Sequence, residues 1–194
     1  AVNTLQSEYI ERAESLRSTL GGLEPADDAD TTQATHEVWA ISGNQGITSR
    51  TKHVIEGATN ELILVIGHES VYTDQLITQL KSAETRNVTI FIGTVNEKLK
   101  RRVQDAFPEA TVFVSGLDWL RQSPFAGDDT EISRLLLVDR EAILVSSFTE
   151  TGDNSREHAK GVFGRGFNNG LVAISRRLMA TGLPSVGNLE DHKD

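Results

Sequence analysis

Residues 131–150 read EISRLLLVDREAILVSSFTE, and the fold turns on how this stretch is taken. Residues 132–138 are one apolar run rich in branched side chains. Residues 142–145 are a second, and Asp139-Arg140-Glu141 separates them. Two short apolar runs about a polar break predict a buried β-hairpin. Three charged residues in a row keep the break in water. Ser146 and Ser147 then fall at the mouth of whatever the hairpin supports.

Upstream of the hairpin, strand and helix patterns alternate. Residues 38–41 predict a short strand, and residues 47–58 a helix with Ile47, Val54, Ile55 and Ala58 inward. Residues 61–67, ELILVIG, are nearly all apolar and predict a central strand. A second helix follows at 72–85, with Leu76, Ile77, Leu80 and Ala83 on one face. Then come a strand at 87–93, a basic-faced helix at 96–107 ended by Pro108, and a strand at 111–115. Residues 116–130 and 151–158 read as loops. Downstream, residues 161–166 predict a strand weakened by glycine. Residues 167–179 predict a last helix with Leu171, Ile174 and Leu178 inward. This order predicts an α/β fold: a mixed, mostly parallel sheet with helices on both faces.

Residues 1–24 carry Val2, Leu5, Tyr9, Ala13, Leu16, Leu20 and Leu23 at steps of three and four, the seam of an amphipathic helix stopped by Pro25. Such a seam either packs on its own domain or pairs with a second copy as a coiled coil. Pairing is the expectation, because the polar, acidic stretch 25–36 sets the helix apart from the first strand. The expected layout is a dimerisation helix at 1–24, a linker at 25–36, a domain at 37–183 and a flexible tail at 184–194.

Composition narrows the function classes. The 194 residues hold a full core and an appendage. No cysteine is present, which excludes disulfides, thiolate zinc sites and a cysteine nucleophile. No apolar run reaches membrane-spanning length and no leader pattern opens the chain, so a cytoplasmic protein without membrane contact is expected. Because the chain opens on Ala1, a processed chain or fragment is expected. The net charge is −9, which leaves no broad basic face for nucleic acid. Arginines also outnumber lysines, 13 to 6. A lysine-poor acidic surface suits a high-salt cytoplasm, where ions screen the repulsion, and it equally suits an ordinary acidic protein.

Few motifs carry chemistry. No GxGxxG follows the first strand and no GxxxxGK[ST] occurs. Gly161, Gly164 and Gly166 have the wrong order and read as a strand-to-helix turn. The histidines, at 36, 53, 68, 158 and 192, lack metal-ligand spacing, so neither a metal nor a cofactor is expected. No GxSxG elbow supports a nucleophilic serine. His68, Glu69 and Ser70 follow the central strand, at the edge where parallel sheets place ligands, and are candidates for a binding site. The alternative is a helix entry with Glu69 or Ser70 at its start.

The hairpin also has the spacing of a known motif. Ile132-x-Arg134-x4-Asp139 followed by Ser146-Ser147-x-Thr149 resembles the HxKxxxxD and GSxN elements of the phospholipase D superfamily. The nucleophilic histidine of that motif is replaced by Ile132, which has no lone pair to attack phosphorus. The resemblance implies a phospholipase D-like fold without the enzyme. His158-Ala159-Lys160 matches HxK literally, but Arg165 stands at its Asp position and no Ser follows at the right distance. It is read as chance. A non-catalytic domain of this kind behind a coiled helix resembles the C-terminal region of TrmB-family archaeal transcriptional regulators.

That resemblance implies a homodimer joined through Leu5, Tyr9, Leu16, Leu20 and Leu23. It implies DNA contact only through a winged helix-turn-helix ahead of Ala1, and a haloarchaeal member. A small-molecule effector would bind near His68, Glu69, Ser70, Arg134, Asp139, Ser146 and Ser147. Arg134 and Asp139 as a structural ion pair in a domain that only dimerises is the competing expectation. A phosphodiesterase and a bare oligomerisation scaffold are the other readings.

Overall fold

The structure is a computed structural model, and it describes residues 37–115, 130–149 and 159–182. The predicted N-terminal helix and linker, the two loops, the tail, and His36, His158 and His192 lie outside the described residues. The strands are β1 (Glu37–Ser42), β2 (Glu61–Ile66), β3 (Thr89–Thr94), β4 (Thr111–Val114), β5 (Thr130–Val138), β6 (Ala142–Thr149) and β7 (Lys160–Arg165). The helices are α1 (Asn44–Glu56), α2 (Asp74–Glu84), α3 (Glu97–Ala106) and α4 (Gly170–Gly182), with a 3₁₀ turn at Glu69–Val71.

The seven strands form one sheet in the order β1-β7-β6-β5-β2-β3-β4. Only β2–β3 and β3–β4 are parallel. The four remaining pairings are antiparallel, so the sheet is mixed and mostly antiparallel, against expectation. The cause is adjacency. β1 and β2 do point the same way, as a strand-helix-strand unit requires. They are not neighbours, because β5, β6 and β7 stand between them. The expected hairpin is β5–β6, and it lies in the middle of the sheet.

Both faces of the sheet are covered by helices. Leu62, Leu64, Ile66, Leu136, Val138, Leu144 and Phe163 face the larger cluster, with Val54 and Ile55 of α1, Leu76, Leu80 and Ala83 of α2, and Leu99 and Val103 of α3. Ile63, Val65, Leu135, Leu137 and Ile143 face the smaller cluster under α4. Successive residues of β2 and β5 therefore enter opposite cores, which explains why those strands read as unbroken apolar runs. The inward faces of α1 and α2 are as predicted. That of α4 is so only in part: Leu171 packs against the smaller cluster and Val172, Ser175 and Met179 are buried, while Ile174 is 59 % and Leu178 44 % exposed. Helix α4 begins at Gly170, three residues later than predicted, so its buried stripe falls on a different set.

Two local features set the geometry of the hairpin. The first is its turn. Glu141 N–H donates to the Val138 carbonyl, and Asp139 and Arg140 both have positive φ, 50° and 58°. This is the type I′ geometry that matches strand twist but strains a side chain. The Asp139 carboxylate offsets the strain. It accepts from the Thr59 N–H (2.9 Å) and hydroxyl (2.9 Å), the Asn60 N–H (2.8 Å) and the Glu61 N–H (2.9 Å), while Arg140 pairs with Glu61. Asp139 thus clips the turn to the start of β2. It lies five residues beyond Arg134, about 16 Å along an extended strand, so the expected Arg134–Asp139 ion pair does not form.

The second feature is a break in the β5–β6 register between Ile132 and Arg134. Ser133 is the extra residue. Its carbonyl accepts from the Gly67 N–H (2.8 Å) and the His68 N–H (3.3 Å). The chain leaving β2 crosses so closely here that a Cβ on Gly67 would fall on the Ile132 carbonyl oxygen.

Each feature yields a measurable consequence. Partial burial alone would raise the Asp139 carboxyl, but the Glu61, Thr59 and Asn60 N–H groups and the Thr59 hydroxyl outweigh it and hold the group below the ordinary carboxylate range. A depressed folded value means the stabilisation is complete above about pH 4 and is lost as pH falls through that lower value. Asp139→Asn is expected to cost about 1–3 kcal/mol in urea unfolding at pH 7. Its deficit against wild type should narrow below about pH 4; a deficit independent of pH would contradict the clip. Gly67→Ala should cost about 2–4 kcal/mol in the same measurement, and a loss near zero would mean that β2 can move off the bulge.

Candidate functional site

The bulge, the exit from β2 and the start of α1 enclose a cavity of about 300 Å³. It lies beyond the C-terminal ends of β1 and β2, the edge of the sheet where ligands collect in folds of this class. Four of the expected site residues line it: His68, Ser70, Arg134 and Ser146.

Arg134 is the dominant group. It is only 8 % exposed, on the face of β5 that looks toward α1. Its Nη1 donates to the Thr51 hydroxyl (2.8 Å), which donates in turn to the Ile47 carbonyl (2.7 Å). Its Nε has no partner among the described residues. Burial pushes its pKa down to about 10, because the charged form is the one that loses hydration. The guanidinium is therefore still a cation at neutral pH.

His68 occupies the other wall, packed edge-on against Phe148 at 5.0 Å between ring centres. Its Nδ1 accepts from the Ser70 N–H (3.1 Å) and lies 2.8 Å from the Ser70 hydroxyl. A backbone N–H can only donate, so the neutral ring carries its proton on Nε2. The histidine caps the 3₁₀ turn, with the alternative expected for this stretch realised through His68 in place of Glu69 or Ser70. It is poorly arranged as a base for Ser70, since the same nitrogen is already taken and no carboxylate orients the ring among the described residues. Ser133 and Ser146 are buried against each other, with hydroxyl oxygens 2.7 Å apart.

Three expected site residues are elsewhere. Asp139 belongs to the hairpin turn at the opposite end of β5. It borders a second cavity of about 310 Å³, which it shares with His53, Glu56, Glu141 and Arg165. Ser147 alternates with Ser146 along β6, so its side chain leaves on the other face of the sheet. Glu69 is not among the residues that line the cavity. Its Oε1 accepts from Asn96 (3.2 Å), the N-cap of α3. Ile132 likewise fails to occupy the place that motif spacing predicts. Positions two apart on a regular strand share a face, but the bulge turns Ile132 into the smaller core and brings Ser133 to the cavity.

Sequence reading missed Thr51, Ser133, Asn44 and Phe148. Only Thr51 had a signal, as a polar residue on the buried stripe of α1 with Ile47, Val54 and Ile55. Among the described residues no group of His, Asp and Glu is placed to hold a metal. No described helix is long and apolar enough to cross a membrane.

Comparison with known proteins places this geometry. No curated protein matches the chain. Among solved structures, NucT from Helicobacter pylori is similar at 11 % identity over 76 % of this chain and 95 % of its own, with a TM-score of 0.51. Nuc from Salmonella typhimurium, a phospholipase D family member, is similar at 12 % identity over 75 % of this chain and 91 % of its own, with a TM-score of 0.49. TrmBL2, an archaeal chromatin protein with a novel mode of DNA binding, matches at 19 % identity over 92 % of this chain, with a TM-score of 0.49. The chain spans 61 % of the length of that protein. The likeness to NucT concerns the fold alone. The model of the transcriptional regulator TrmB, effector-binding domain N-terminal subdomain, matches residues 37–159, more than half of the sequence. The chain belongs to the TrmB family of transcriptional regulators.

Proposed function

We propose that this chain is the effector-sensing and dimerisation part of a TrmB-like regulator and has no catalytic activity. The observation that carries the reading is Arg134, a buried cation without a charged partner among the described residues, set in a cavity of ligand size at the ligand-bearing edge of the sheet. His68, Ser70 and Ser146 surround the ligand, and Ser133 joins them. The absence of catalysis follows from Ile132, which has no nucleophilic atom and packs into the opposite core.

The regulator works as a homodimer in the cytoplasm, joined through the seam of Leu5, Tyr9, Leu16, Leu20 and Leu23. DNA is read by a winged helix-turn-helix of the full regulator. An effector in the cavity contacts α1, β2 and β5–β6 together, so it favours one packing of these elements over another and shifts the dimer geometry by that difference in affinity.

Three measurements test the reading. The chain should elute as a dimer in light scattering and shift toward monomer with Leu16→Glu and Leu20→Glu together; a wild-type monomer would contradict it. It should not turn over bis(p-nitrophenyl) phosphate, and turnover would restore the phosphodiesterase alternative. In a thermal-shift screen of sugars, nucleotides and phosphorylated metabolites in high salt, at least one class should stabilise the wild type and fail to stabilise His68→Ala. No stabilisation by any class would leave a scaffold.

A further inference from the structure

Arg134 carries a charge that no described residue neutralises. The ion pairs of the described residues are Lys52–Glu56, Lys100–Glu97 and Arg140–Glu61, all at the surface. A lone buried cation is costly unless something compensates it. Among the described residues no Asp or Glu lines the cavity, so none of them compensates the charge.

The wall instead adds positive potential. The first turn of α1 reaches the cavity through Asn44 and Ile47. Its N-cap is Gly43, which makes no side-chain cap bond, and the turn holds no acidic residue. The leading N–H groups of a 13-residue helix are thus left without a side-chain cap, and its dipole without a counter-charge. Thr73, the N-cap of α2, lines the same cavity, but its hydroxyl accepts from the Leu76 N–H and Asp74 stands in that first turn, so α2 adds no open helix start. The Nε2–H of His68 has no acceptor among the described residues. On the far side of Arg134 a smaller cavity of about 50 Å³ is bounded by Gln79, whose Nε2 is also unpartnered. Arg134 Nε and Gln79 Nε2 are thus two buried donors without partners among the described residues.

We propose that the cavity binds the phosphoryl group of a small ligand, with Arg134 as counter-charge and the start of α1 and His68 Nε2–H as flanking donors. The inference rests on the sensing reading above and supplies its ligand class. Thr51 is the positioning residue: it holds Nη1 and leaves Nε without a partner among the described residues. A space of about 300 Å³ is at the lower end for small-molecule sites, so whatever carries the phosphoryl group is small.

The test titrates inorganic phosphate into the whole chain at fixed ionic strength and fixed chloride, read by calorimetry and thermal unfolding. Phosphate at about ten times its Kd should raise Tm by about 3–6 °C. Arg134→Gln should weaken binding at least tenfold, and Arg134→Lys should recover part of it. His68→Gln, at a half-exposed position that leaves the core intact, should weaken it severalfold. Binding that is undetectable at millimolar phosphate overturns the inference. So does an equal rise in Tm for wild type and Arg134→Gln, which is the general exclusion effect of the salt. If glucose stabilises the wild type through these residues and phosphate does not, the sensing reading stands and the phosphoryl inference fails. If phosphate binds through Arg134 without changing dimer geometry or DNA affinity in the full regulator, the inference stands and the sensing reading fails.

Discussion

Strand β5 has no free side. Leu135 and Leu137 enter the core beneath α4, Leu136 and Val138 enter the core shared with α1 to α3, and β2 and β6 occupy its two edges. Over Leu135–Val138 both faces are buried and every position is apolar, and over Arg134–Val138 both edges are paired, which satisfies the backbone groups there. Among the described strands, β5 joins the parallel trio β2-β3-β4 to the antiparallel trio β6-β7-β1 within the sheet. The sheet is continuous because this strand is inserted, and the register at its start decides what the two halves present to each other.

That register is broken once, at Ser133, and the site follows from the break. The bulge sends Ile132 to one core and Arg134 toward α1, and its carbonyl takes the N–H groups of Gly67 and His68 where the chain leaves β2. Three elements distant in sequence meet there: the first turn of α1, the turn after β2, and the paired strands β5 and β6. Each contributes donors.

Much of this was legible along the chain. The hairpin, the apolar runs of β2 and β3, and the inward faces of α1 and α2 follow from spacing alone, because a helix or strand of known period can bury only certain positions. His68 and Ser70 came from the rule that ligands gather beyond strand C-termini and Arg134 from the spacing of the hairpin motif; all three line one cavity. The misreadings share a cause. Asp139 looked like a partner for Arg134, and Ser147 like a neighbour of the cavity, because sequence proximity was taken for spatial proximity. Along a strand, five residues are a long way and one residue is a change of face. Helix α4 was misread since its start depends on the turn at Gly166, which has a φ of 110°, and not on the apolar pattern that follows.

The sequence by itself determined the element types, the direction in which the crossover strands run, and the loss of the motif histidine at Ile132. These are properties of period and composition, and they survive in any arrangement of the elements. The tertiary structure alone decided that β5 and β6 lie inside the sheet, that Ser133 bulges, and that Arg134 faces a cavity that no carboxylate of the described residues lines. Strand order and bulges arise from long-range pairing, in which each strand selects among several chemically similar edges. A charge becomes unpaired only when the whole surrounding wall is known.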